Sequence, residues 1–277
     1  MISTIDVQSV DHALPYQWLC IDIETGHGRP EDCERLMRLT WAPDKRWKDD
    51  TIGKRYKEAL QKKIEKRALI DESPIKVVSL RSDSELRCLH WIEPHEAKQI
   101  SGGLVEGFAT QREMLIALRA LLDARVIGDT PIVGHNIIGF DLPRLRWAYI
   151  KERLRLPDAL HAFEQATYDV MREFCRRYTV NKDIMISFDE VLEQFGLPSH
   201  KGIVSGPDIP DLIEQGETDL VVQYALLDVV AESDLFLRMT GGLEDDHANE
   251  DQQQQQPQAG HEPANKELPQ QDAGVGF

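Results

Sequence analysis

The chain has few cysteines, four in 277 residues, and Cys20, Cys33, Cys88 and Cys175 form no C-x-x-C pair. That spacing suggests neither a zinc ribbon nor a disulfide framework. Cys20 and Cys88 sit in strand-like runs and read as reduced core thiols. Long apolar runs are missing too: none approaches the ~18 residues of a membrane helix. The N-terminal MISTIDVQSVDHALPYQW lacks the basic-then-apolar order of a signal peptide. The expectation is an intracellular, cytoplasmic protein with no membrane partner. Positive charge is also scarce, with 32 Lys and Arg against 48 Asp and Glu and a net charge of -16. As a sum this disfavours a polyanionic partner, but its distribution matters more. From Leu243 onward eight acids face Lys266 alone, whereas GKRYKEALQKKIEKR (Gly53 to Arg67) sets seven basic residues against Glu58 and Glu65. One basic stripe in an acidic chain remains compatible with local phosphate binding.

What is present reads as one α/β domain over roughly residues 14 to 242, after an N-terminal extension over 1–13. QWLCIDIE is a strand by its apolar and β-branched content, and Gly26, Gly28 and Pro30 break the pattern after it. A polar segment over 31–71 reads as a helical, partly basic insertion. IKVVSLRS and ELRCLHWI read as a hairpin turning around Ser82 to Ser84. TQREMLIALRALLDA has helical spacing with Thr110 as N-cap. TPIVGHN is a short strand, and DLPRLRWAYIKERL a helix with Pro143 in its first turn. SFDEVLEQFG carries a capping box from Ser187 to Glu190 and a stop at Gly196. ETDLVVQYALLDVVAESDLFLRMTGG is the last long helix. Residues 243–277 are acidic and Gln/Pro-rich, the composition of a disordered tail. The hairpin makes the sheet mixed, because a purely parallel one would need a crossover at every step.

Against this background the acids stand out. Asp22 and Glu24 lie two apart in an otherwise apolar strand and so share one face. Asp141 follows the strand PIVGHN and opens a helix. Tyr224 and Asp228 are four apart on an apolar helix and also share a face. A buried carboxylate without a partner costs several kcal/mol, a cost that a bound cation would offset. Oxygen-only donors suit hard divalent ions, and two such ions ~3.5–4 Å apart can clamp both the attacking and the leaving oxygen of a phosphodiester.

D-x-E in a first strand, N-x-x-x-F-D after a later one and Y-x-x-x-D in the last helix resemble the three motifs of the DEDD 3'-5' exonucleases of the ribonuclease H-like superfamily. IDIET and GHNIIGFDLPRL are most similar to the exonuclease domains of family B DNA polymerases and their free-standing relatives. The likeness covers about residues 17 to 240. Tyr224 four before Asp228, with Gln223 five before it, matches the tyrosine branch rather than the histidine branch.

The resemblance implies a ribonuclease H-like mixed five-stranded sheet flanked by helices, with the insertion after its first strand. It also implies a site holding two Mg²⁺ or Mn²⁺ ions. Asp22 would bridge the metals, Glu24 and Asp228 hold the nucleophile-side ion, Asp141 support the second and Tyr224 orient the attacking water. Asn136 and Phe140 match positions that contact the terminal nucleotide, and the Thr25 backbone would lie near its 3'-hydroxyl. The implied substrate is single-stranded or frayed DNA at its 3' end. A ribonuclease D-like activity on RNA is the alternative, and a non-catalytic adaptor that recruits a protein partner through its acidic tail is a third reading.

Other residues have plainer readings beside the functional ones. His135 adjoins Asn136 and is a candidate to line the cleft or to make structural hydrogen bonds. Lys201, in PSHKG, is a candidate phosphate contact. Asp141 has helix N-capping as an alternative or additional role, and Asp169 reads as a cap or turn residue. His90 and His95 are five apart with Pro94 between them, which denies them one helical face for a metal. Trp41 and Trp47 would either stack on bases or pack the insertion down.

Overall fold

In strand β1 (Leu19–Thr25) the side chains alternate between two cores. Leu19, Ile21 and Ile23 join one apolar cluster, while Trp18 and Cys20 join the other, so Asp22 and Glu24 belong to the second face. The computed structural model describes residues 17–66, 72–100, 103–126, 129–161, 166–179, 185–199 and 204–241. The N-terminal extension, the end of the insertion at 67–71, Lys201 and the acidic tail lie outside them.

Around β1 a seven-stranded mixed sheet forms in the order β4-β5-β3-β2-β1-β6-β7. β1 pairs antiparallel with β2 (Ile75–Arg81) and parallel with β6 (Ile132–Gly134). β2 continues into the expected hairpin with β3 (Leu86–His90). Three strands go beyond the pattern, and the sheet exceeds the expected five. β4 (His95–Ile100) is largely exposed and polar, β5 (Gly103–Gly107) is bounded by two glycines, and β7 (Thr167–Asp169) has three residues. None offers an apolar alternation to read. At Gly107 a Cβ would come within 2.4 Å of the Glu93 carbonyl oxygen, so the close approach of β4 to β5 requires glycine there.

Two layers of helix cover the sheet. α3 (Gln111–Arg125) and α4 (Asp141–Lys151) pack with the Leu19, Ile21 and Ile23 face. On the other face lie α5 (Val170–Tyr178), α6 (Phe188–Gln194), α7 (Ile209–Gln215) and α8 (Thr218–Thr240). The local signals hold: the Thr110 side chain accepts from the Glu113 amide, Ser187 and Glu190 complete their capping box, and Gly196 and Gly241 take positive φ beyond α6 and α8. α8 crosses β1, β2, β3 and β6 and is buried on most of its circumference. Phe236 fixes its seating, with its ring 5.8 Å from Trp18 and 5.0 Å from Tyr168.

The insertion after β1 folds as α1 (Pro30–Thr40) and α2 (Asp49–Glu65). α1 buries Cys33 and Met37, but α2 buries no residue. Trp41 meets Tyr56 edge-on at 5.2 Å and Trp47 at 6.5 Å, so this aromatic set packs the two helices together. All four cysteines are buried thiols outside any disulfide. Among the described residues no helix is long and apolar enough to cross a membrane.

Candidate metal centre

β1 delivers the first two acids. Its pairing with β2 runs regularly to Glu24↔Val77 and then skips Lys76, so that Thr25 faces Ile75. This bulge turns the end of β1 just where the carboxylates emerge. On α8, Tyr224, Asp228 and Glu232 follow one another at single-turn spacing on the side facing β1. Asp22, Glu24 and Asp228 thereby bring carboxylate oxygens within 4.8 Å of one another, a group that could hold a metal ion.

Asp141 arrives by a different route. β6 ends at Gly134, and Asn136 takes a positive φ of 55°, which asparagine tolerates better than most residues. Its carbonyl accepts from the Gly139 and Phe140 amides, closing the turn that starts α4. Asp141 is then the first helical residue rather than the cap. Phe140 holds the cap position without a side-chain hydrogen bond, and the Asp141 Oδ1 instead accepts from the Ile23 amide at 3.3 Å. The expected N-cap role gives way to a tie onto β1 between the two acids.

The electrostatics of this group are adverse without a cation. Burial, then Asp141 and Asp228, raise the Asp22 carboxyl well above the carboxylate range. Burial, then Asp22, does the same to Glu24. Burial raises Asp141 to about 7 and Asp228 to about 6, although the Tyr224 hydrogen bond pulls Asp228 back. Tyr224 donates to Asp228 and is itself pushed far up, first by burial and then by Asp228 and Glu24. The Asp22 Oδ2 atom is buried without a hydrogen-bond partner. An orphaned carboxylate oxygen among acids is what a cation-binding site needs and a purely structural site avoids.

The cleft above these acids has a volume of about 750 Å³. Thr25, His135, Asn136 and Phe140 line it with the five residues already described, so nine of the ten predicted site residues come together. Lys201 lies outside the described residues. His135 lines the cleft, and its main-chain amide donates to Glu232. Its ring packs on Phe188 at 5.2 Å, and burial lowers it to about 4, so it is neutral. The Phe140 ring carries the Arg144 guanidinium 3.6 Å from its centroid. Asp169 caps α5 through the Arg172 amide and also accepts from the Ile138 amide, bracing the β6–α4 turn from behind.

Three features escaped the sequence reading. Glu232 is a buried acid of the cleft, and its signal was the third step of the Tyr224, Asp228 spacing. His90 and His95 do meet, Nε2 to Nε2 at 2.9 Å, because the turn from β3 to β4 achieves what one helix could not. His27, Asp211 and Glu214 also place donor atoms within 4.8 Å of one another. There His27 Nε2 lies 2.7 Å from Asp211, and both acids of this second group are exposed, unlike Asp22, Glu24 and Asp228.

Comparison of the chain with models of known protein families and with curated proteins finds no match to either.

Proposed function

We propose that this protein is a metal-dependent 3'-5' exonuclease of the ribonuclease H-like tyrosine branch, releasing nucleoside 5'-monophosphates from single-stranded or frayed DNA ends. The observation that carries the reading is the convergence of Asp22, Glu24 and Asp228 within 4.8 Å, with Asp141 tied to the same strand and Tyr224 bonded to Asp228. Four acids and a tyrosine from three separated segments line one cleft, which supports the likeness to the exonuclease motifs.

The donor set is all oxygen and suits Mg²⁺ or Mn²⁺. Asp22, Glu24 and Asp228 would hold one ion, with Asp22 shared and Asp141 supporting a second. Bound there, the pair would acidify a water and stabilise charge on the leaving 3'-oxygen. Tyr224 stays protonated throughout the neutral range because its pKa is raised, so it acts as a hydrogen-bond donor that orients and not as a base. Asn136 and Phe140 line the side of the cleft opened by the β6–α4 turn and would take the terminal nucleotide, with the Thr25 backbone at its 3'-hydroxyl. Lys66, where α2 ends, is the one Lys or Arg among the described residues lining the cleft. It would meet a phosphate further along the strand, continuing the exposed stripe through Lys62.

The test is degradation of 5'-end-labelled single-stranded DNA with Mg²⁺ or Mn²⁺, with matched RNA in parallel. Shortening from the 3' end by wild type and none by Asp22→Ala is the expected result. Equal degradation by both proteins refutes the assignment. Faster loss of the RNA strand would move the substrate to the ribonuclease D-like alternative.

A further inference from the structure

We propose that Glu232 is a positioning residue whose buried carboxylate ties β1, the turn after β6 and α8 into one register, and so sets the separation of the acids they carry. The proposal rests on the metal-centre reading above and adds a residue to it.

Glu232 is only 5% exposed and both of its oxygens are engaged. Oε1 accepts from the His135 amide at 3.2 Å, and Oε2 accepts from the Cys20 thiol at 3.5 Å. These partners lie at the roots of the site. Cys20 is two residues before Asp22 on the same face of β1. His135 immediately precedes Asn136 in the turn that leads to Asp141. Glu232 itself stands one helical turn beyond Asp228. No other described side chain hydrogen-bonds to both β1 and the β6–α4 turn from α8.

Its two engaged oxygens separate Glu232 from a ligand. The Asp22 Oδ2 is buried and unpartnered, the state of an oxygen waiting for a cation, whereas Glu232 spends its oxygens on protein donors. The His135 amide lies just past the last ladder pair of β6, so without Glu232 it would lose its acceptor. Outer-shell partners of this kind govern metal affinity by holding the ligand-bearing segments still.

The experiment measures Mn²⁺ binding to the full chain by the electron paramagnetic resonance signal of free Mn²⁺, for wild type, Glu232→Gln and Glu232→Leu. The Gln side chain keeps an oxygen for the His135 amide and should bind Mn²⁺ nearly as wild type does. Leu fills a similar volume without an acceptor and should weaken binding by about 10–100-fold. Wild-type affinity in the Leu variant overturns the proposal, and so does a Gln variant as weak as Leu, which would mean that the charge itself is a ligand. Should Glu232→Leu fail to fold, hydrogen exchange decides: protection of the His135 amide in wild type and Glu232→Gln supports the tie, and exchange at open-loop rates overturns it. Absence of Mn²⁺ binding to wild type would instead remove the metal-centre reading on which the proposal stands. The two failures are therefore distinct.

Discussion

Replacing Asp22 by Asn should make the metal-free protein more stable while abolishing its response to metal. In the native site Asp22 shares a 4.8 Å neighbourhood with Glu24 and Asp228, and burial with the charges of Asp141 and Asp228 opposes its ionisation. Burial pushes its neighbours up as well, Asp228 to about 6 and Asp141 to about 7, against 3.8 for an ordinary aspartate. Folded carboxyls thus keep protons that the unfolded chain releases near pH 4. The native state binds more protons from about pH 4 to 7, so these groups favour the fold most at low pH. Their contribution is lost as pH rises through 6 and 7. A shift of the size seen at Asp228 corresponds to about 3 kcal/mol at neutral pH. Asn cannot ionise and can donate its amide to Glu24 or Asp228, so the substitution should recover on the order of 2 kcal/mol, or about 4–8 °C in Tm for a domain of this size. Thermal melting in EDTA from pH 4 to 8 checks this. The advantage of Asp22→Asn should be near zero at pH 4 and grow from there toward pH 7, whereas millimolar Mn²⁺ should raise the Tm of wild type alone. A variant that melts at or below wild type at pH 8 in EDTA refutes the reasoning.

Tyr224→Phe keeps the carboxylates but loses the orienting hydroxyl, so the rate on DNA should fall on the order of 100-fold while Mn²⁺ affinity holds. At Gly206 a Cβ would stand 3.3 Å from the Tyr224 hydroxyl oxygen, and steady-state kinetics of Gly206→Ala should show a lower kcat with KM unchanged. Lys62→Glu with Lys66→Glu should raise KM on long single strands, and the salt dependence of binding should flatten by about 1.4 in logarithmic slope if both lysines meet phosphates. Fluorescence anisotropy should find oligonucleotide binding weak in EDTA and tight in Ca²⁺, because acids outnumber the single Lys66 around the cleft.

How much of this was legible in the sequence depends on the range of the interaction that decides each element. Helices α3, α6 and α8 announced themselves through caps and spacing, which act within one or two turns. β4, β5 and β7 did not, because their residues are polar, glycine-bounded or too few, and what makes them strands is the neighbour they hydrogen-bond to. The site divides in the same way. Asp22, Glu24, Tyr224 and Asp228 were readable because each pair shares a face by local periodicity. The Asp141 tie to Ile23 spans 118 residues and the Glu232 tie to Cys20 spans 212, distances over which spacing carries no information.

The same division explains why the acids are tolerated at all. Each element taken alone would be better off with an apolar residue at the acidic position, since β1 and α8 are otherwise built for burial. Only the assembled sheet and helix place the carboxylates opposite one another, and only there does their repulsion turn into a cavity of the right charge for a cation. Stability is conceded at the point where three segments meet, and it is offset by the apolar contacts of the same elements away from the cleft, such as Phe236 between Trp18 and Tyr168. An exchange of Asp228 with an apolar neighbour such as Val229 would keep the composition of α8 while turning the carboxylate away from β1. Convergence of the acids, not the acidity of the chain, is therefore the property on which the proposed metal binding depends.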